Sequence, residues 1–337
     1  MAQESARAPF RLAPERAALL NFLLDNLVWL ILVVVLAAFS LTIEHFFQLG
    51  IFLNILNHAT FVGLISIGLS FCIIAGHMDL SVESVMAFAA MLAAWLAASR
   101  GSASGAEVGT LSTLLLALGL GTLTGLFNGL LVIRFEINAF IVTLATYIAV
   151  RGFGLVLTGG RSMYGLPENF RDVATASLGG LPVLVVILIA AYVVFGLVLS
   201  RTRFGRYVYL VGGNVRAPFR AGIDVNRVLY TAFILSGVLA ALAGWLLAAR
   251  TNGATPNLGI GMLFEAFAAV VIGGVSLRGG IGRLSGVFAG VLLLSSIDTA
   301  INVMGIEPYY MQVIRGGLML AAVLLDSLKM QVRRRYL

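Results

Sequence analysis

Charge is what this chain has least of. Only 11% of its 337 residues are Asp, Glu, Lys or Arg, while 60% are hydrophobic. Soluble domains average about 25% charged and about 45–50% apolar residues. A water-bathed globule, a disordered chain and a collagen-like fibre are therefore excluded, and a mean hydropathy of +1.01 points to a bilayer as solvent. Cysteine is nearly absent too: Cys72 stands alone in an apolar run, so no internal disulfide can form and thiol content carries no redox information. Lysine occurs once, since 21 of the 22 basic residues are arginine. Prolines number seven against 38 glycines, a balance that transmembrane helices tolerate. There is no Walker loop, so the chain is not expected to hydrolyse nucleotide itself. No cofactor and no metal site is assigned, and the chain is not read as an enzyme.

What is present is a series of long apolar runs. A membrane-crossing helix needs about 20 apolar residues. Ten segments meet or approach this: 22–43, 51–75, 80–98, 110–133, 138–157, 178–199, 228–249, 262–277, 284–303 and 310–327. The fold class expected is an all-α polytopic membrane protein with about ten spans. Two are weak: 80–98 follows a Gly76-His77-Met78-Asp79 interruption, and 262–277 is short and ends in glycines. Both read as candidate half-helices. The first twenty residues alternate acidic and basic groups before a spanning stretch, so they read as a retained tail, not a signal peptide.

The arginines orient these spans. With the N-terminus in the cytoplasm, the inner segments carry Arg7, Arg11, Arg16, Arg134, six arginines between 201 and 227, Arg278, Arg283, Lys329, Arg333, Arg334 and Arg335. That makes sixteen basic side chains inside against four outside, Arg100, Arg161, Arg171 and Arg250. The positive-inside bias supports both the even count and cytoplasmic termini. It also accounts for the basic character without nucleic acid. The organisation expected is a tail over 1–21, one transmembrane domain over 22–327 with a cytoplasmic loop at 200–227, and a basic tail over 328–337.

Two stretches look alike. Residues 71–88 and 269–290 each run apolar, break at glycine, step through polar residues and become apolar again. Transporters commonly contain such repeats, with broken helices near the substrate path. Glycines at 121, 125 and 129, and at 282, 286 and 290, recur every four residues and imply close helix packing.

The loop 200–227, SRTRFGRYVYLVGGNVRAPFRAGIDVNR, is too long and too ordered in composition for a solvated connector. A short helix there would present Arg216, Ala217, Phe219 and Arg220 to a partner protein; the competing reading is a basic loop lying on anionic lipid headgroups. At this stretch and five others the chain resembles the permease subunits of ribose-type monosaccharide ABC importers. The matching motifs are DLSVESV (79–85), INAFIVTLATYIAVRG (137–152), LTGGRSMYGLP (157–167), GRYVYLVGGN (205–214), AGIDVNR (221–227) and AAVVIGGVSLRGGIGRLSG (268–286).

The resemblance implies a bacterial inner-membrane permease pair, either homodimeric or heterodimeric. Cytoplasmic ATP-binding subunits would drive it, and an extracytoplasmic solute-binding protein would supply it. ATP is then bound by a partner, not by this chain. The loop becomes the ATPase-coupling element, with Gly212, Gly213, Asn214, Arg216, Ala217, Phe219, Arg220, Gly222 and Asp224 as its residues. Two departures stand out. The family's Glu-Ala-Ala triplet is Val215-Arg216-Ala217 here, and His77 and Glu83 stand where the family usually has glycine.

Polar residues inside the apolar runs are the candidates for the solute path: Asn57, His58, His77, Asp79, Glu83, Asn128, Asn138, Thr143 and Asn302, with Asn54 and Thr146 nearby. Asp79 and Glu83, four apart, would share one face if helical, either at a water-filled entrance or hydrogen-bonded near the cytoplasmic headgroups. Asp298 and Arg315 are expected to form a structural ion pair, and Arg151 with Glu265 a second. An ion-coupled carrier using Asp79, Glu83 or Asp298 is the rival function. An intramembrane enzyme built on His77 and Asp79 lacks a third catalytic group.

Overall fold

A computed structural model describes residues 26–307 other than 102, 215–217, 219 and 220, together with isolated positions between 310 and 324. The expected tails, the tenth segment 310–327, Arg216, Ala217, Phe219, Arg220 and Arg315 lie wholly or largely outside these residues. Among the described residues six helices are long and apolar enough to cross a membrane. They are α2 (Leu49–Ile74), α4 (Thr110–Arg134), α5 (Ala139–Thr158), α7 (Val183–Arg201), α9 (Val225–Thr251) and α11 (Leu284–Val303). Three apolar helices are shorter: α1 (Leu27–Thr42), α3 (Val82–Ala97) and α10 (Met262–Ile272). Among the described residues six helices thus qualify as full-length spans, and the expected count of about ten is not reached there. The shortness of α3 and α10 agrees with their reading as half-helices.

The core is built around α2 and α9. Every residue of α2 from Ala59 to Ile74 is buried, so this helix is surrounded by protein and not by lipid. Small residues let α9 come close to its neighbours. A methyl group at Gly121 would strike the carbonyl oxygen of Gly237, and one at Gly125 that of Phe233. The four-residue glycine series of α4 therefore lies against α9, as its spacing implied. By contrast α4, α5 and α7 leave apolar side chains such as Leu115, Ile148 and Val193 bare, as lipid- or partner-facing helices do.

Three helices end on one side at a small antiparallel sheet. Arg100–Gly101 (β1) follows α3, Met163–Tyr164 (β2) follows α5, and Gly253–Ala254 (β5) follows α9. Their register pairs Arg100 with Tyr164 and Met163 with Ala254. A short amphipathic helix, α6 (Glu168–Thr175), lies beside them. Its Phe170 packs edge-on against Trp245 at 4.7 Å, and the Trp245 indole N–H donates to Thr113 Oγ1 at 3.1 Å. A two-strand hairpin, Ser177–Leu178 (β3) with Leu181–Pro182 (β4), leads into α7.

On the opposite side, α8 (Arg203–Gly213) occupies the first half of the expected loop. The loop is shorter than its sequence boundaries, because α7 runs to Arg201 and α9 starts at Val225. Thr202 caps α8 by accepting from the Gly205 N–H at 3.1 Å, and Asp224 caps α9 by accepting from the Arg227 N–H at 3.0 Å.

Candidate functional site at two helix breaks

The first break, residues 75–81, leaves α2 and climbs back into the protein before α3 begins. Its depth follows from α9. The Cys72 thiol lies 3.5 Å from the Ala232 carbonyl oxygen, and a methyl at Gly244 would strike the Met86 carbonyl. The first turn of α3 therefore lies about halfway along α9. Asp79 and Glu83 are both fully buried there. The shared face expected for a helical 79–83 is not formed, because the helix starts at Val82 and Asp79 precedes it.

The two carboxylates serve different helix ends. Asp79 Oδ1 accepts from the Ser81 backbone N–H at 3.0 Å and its hydroxyl at 2.6 Å. Asn128 on α4 donates to Ser81 Oγ at 2.9 Å and accepts from Thr146 on α5 at 2.7 Å. Thr143, one turn earlier, donates to the Ala139 carbonyl at 2.8 Å and lies 3.4 Å from the Met78 carbonyl. A buried polar chain thus joins the break to two spans.

Glu83 reaches across to α10. Its Oε2 accepts from the Gly261 N–H at 3.0 Å and the Leu263 N–H at 3.1 Å. Its Oε1 accepts from the Tyr147 hydroxyl at 3.1 Å and lies 3.9 Å from the Arg151 guanidinium. Arg151 also donates to the Pro256 carbonyl at 2.8 Å. Helix N-termini carry unpaired N–H groups and a partial positive charge. Two half-helices start near each other here, and Glu83 neutralises the start of one from within the first turn of the other.

The expected Arg151–Glu265 pair is therefore not formed. Glu265, in the first turn of α10, lies 3.7 Å from His58 Nδ1. Asp298 joins them, with one ligand-type atom from each of the three within 4.8 Å of the others. Helix α10 turns Glu265 toward α2 and α11, whereas Arg151 on α5 faces α3. The expected Asp298–Arg315 pair lies outside the described residues.

The second break, residues 273–283, mirrors the first. The first follows a long helix and precedes a half-helix; the second follows the half-helix α10 and precedes the long α11. The two breaks touch, since the Gly280 N–H donates to the Ile74 carbonyl at 2.8 Å. The end of α8 is pressed into the same point. A methyl at Gly212 would fall on the Ile74 carbonyl oxygen and lie 2.7 Å from the Gly280 nitrogen. Only glycine permits that approach. The Tyr209 hydroxyl adds a hydrogen bond to the Gly282 carbonyl at 2.7 Å.

The remaining candidates are scattered. Asn138 is exposed and caps α5, accepting from the Phe140 N–H at 2.9 Å. Asn302 is exposed near the end of α11, and Asn54 is exposed on α2. Asn57 is half-buried on α2. His77 packs its ring 6.0 Å from that of Phe233. Asn214, Gly213 and Gly222 are exposed beyond the junction. Sequence reasoning missed Tyr147, Tyr209 and Ser81. Hydroxyl-bearing residues are common in membrane helices, and nothing in their local spacing marks these three.

Comparison with known proteins gives this geometry its context. Residues 51–323 match the family of permease components of branched-chain amino acid transport systems. The chain belongs to this permease family. The permease is 35% identical to the L-arabinose ABC transporter permease protein AraH of Azospirillum brasilense, over 90% of its own length and 88% of that protein. It is 34% identical to the ribose import permease protein RbsC of Haemophilus influenzae, covering 91% and 94%. With RbsC of Bacillus subtilis the identity is 36%, covering 82% and 84%. No solved structure matches. Membership places the permease in a membrane.

Proposed function

We infer that this permease is the membrane-spanning subunit of an ATP-driven importer for a monosaccharide or a related polyol. The relatives named for arabinose and ribose support the solute class. None of the three is named as an ion-coupled carrier. ATP is bound and hydrolysed by separate cytoplasmic subunits, a soluble protein delivers the solute from outside, and a second permease completes the pore. The excess of basic residues supports cytoplasmic termini and a cytoplasmic α8 with the stretch to Asp224, in a bacterial inner membrane. One transmembrane unit, 22–327, lies between a short tail over 1–21 and a basic tail over 328–337.

The observation that carries the mechanism is the junction of Gly212, Ile74 and Gly280. The arginine-rich segment does not hang from the membrane domain. Its Gly212 is packed backbone against backbone where the two breaks meet. A push on residues 212–224 by closing ATPases is therefore delivered to α3 and α10 together, and these half-helices meet at Glu83. Tyr209 holds the lever to the second break. Burial pushes its phenol pKa up, with Arg283 opposing, so it remains a hydrogen-bond donor. On the far side the outer stretches 158–177 and 250–261 offer Arg161, Glu168, Arg171, Asp172, Arg250 and Asn252 to the binding protein.

The deciding experiment is reconstitution in liposomes. The permease together with its ATPase and binding-protein partners should take up labelled pentose or hexose only when ATP is supplied on the ATPase side. Uptake by the purified polypeptide alone, or uptake driven by a proton gradient, would overturn this function.

A further inference from the structure

One large cleft borders the second break from the side away from Glu83 and Asp79. It lies between α1, α7, α8 and α11 and has two ends of opposite character. The larger part, about 740 Å³, is walled by Ile189, Val193, Gly196, Leu199 and Phe288. The smaller, about 370 Å³, is walled by Gly273, Gly282, Arg283 and Ser285. Trp29, Tyr209, Arg283 and Ser285 border both parts, so they form one continuous groove. Among the described residues, neither part is lined by any Asp or Glu.

We propose that this cleft binds one anionic phospholipid, its acyl chain in the apolar end and its phosphate at Arg283. The division of the groove repeats that of a lipid molecule. The apolar end lies on helices that cross the membrane, and its walls include the exposed Ile189 and Val193, so it opens sideways where acyl chains are the solvent. A water-soluble metabolite would gain little from that wall. The polar end lies at the start of α11, where Arg283 is exposed. Ser200 also borders the groove, and the cationic Arg201 follows it. Basic pockets between helices at the cytoplasmic surface select anionic headgroups through such charges.

The occupant touches the lever. Tyr209 borders both parts of the groove and donates to Gly282, so a seated lipid braces the contact between α8 and the second break. Which leaflet supplies the lipid rests on the orientation proposed above; lipid retention does not.

The test counts lipids retained by the permease complex in native mass spectrometry, after purification in nanodiscs of mixed phosphatidylglycerol and phosphatidylcholine. One phosphatidylglycerol per permease chain should persist. Gly196→Leu fills the apolar end without pressing on protein, because a Cβ there meets nothing within 4 Å. Arg283→Gln removes the cation. Each should weaken retention at least tenfold. Gly152→Leu, another position where a Cβ meets nothing, should leave it unchanged. Wild-type retention by both groove variants, or equal retention of phosphatidylcholine, would overturn the site. Because no transport is measured, failure here leaves the importer function standing.

Discussion

The carboxylate of Glu83 accepts the backbone N–H of Leu263 at 3.1 Å, which fastens the start of one half-helix to the start of another. Each half-helix leaves N–H donors that lipid cannot satisfy, and in a membrane such groups must be met by protein. Glu83 meets two of them and is held in turn by Tyr147 and Arg151. It belongs to this chain's own internal bonding before it belongs to any solute.

Glu83→Ala should therefore be costly. It leaves two N–H groups and the Tyr147 hydroxyl without their acceptor and takes the carboxylate from beside Arg151, and breaking a buried charged pair costs about 3–5 kcal/mol. Thermal unfolding of the purified permease in detergent should fall by several degrees. Glu83→Gln, which keeps one acceptor, should fall less. An unchanged midpoint in Glu83→Ala would show that α10 is held by something else.

Asn128 and Asn138 should behave differently although both are asparagines in the same hairpin. Asn128→Ala leaves the buried Thr146 hydroxyl without its acceptor and takes one donor from Ser81, at about 1–3 kcal/mol. Asn138→Ala removes an exposed helix cap, typically worth about 1 kcal/mol. Parallel melting curves decide the matter, and equal losses would contradict the buried polar chain.

Gly212 and Gly213 make a second contrast. A methyl at 213 meets only the Gly280 Cα, at 4.0 Å, whereas one at 212 collides with the Ile74 carbonyl. Gly213→Ala should transport normally. Gly212→Ala should assemble with its ATPases and hydrolyse ATP, yet move at least tenfold less solute per ATP. Equal coupling in the two variants would remove the junction from the mechanism.

The arginines beyond the described part of the lever are tested by charge reversal. Arg216→Glu with Arg220→Glu should separate ATP hydrolysis from uptake while leaving the unfolding midpoint of the permease within a degree or two. Normal uptake in the double variant would count against docking through this stretch.

Much of this protein can be read along the chain. Its solvent, its interruptions near 76 and 273–282, the packing face of Gly121, Gly125 and Gly129, and the distinct middle segment all come from composition and spacing. Those are properties of a residue and its near neighbours, and they add along one dimension. Partners do not. Arg151 answers Glu83 and not Glu265, because helix contacts decide which charges meet. The bond from Gly261 to Glu83 spans 178 residues. The reversed order of long and short helices at the two breaks, and the meeting of α8 with both, likewise arise only when backbones approach closely enough to exclude every residue but glycine.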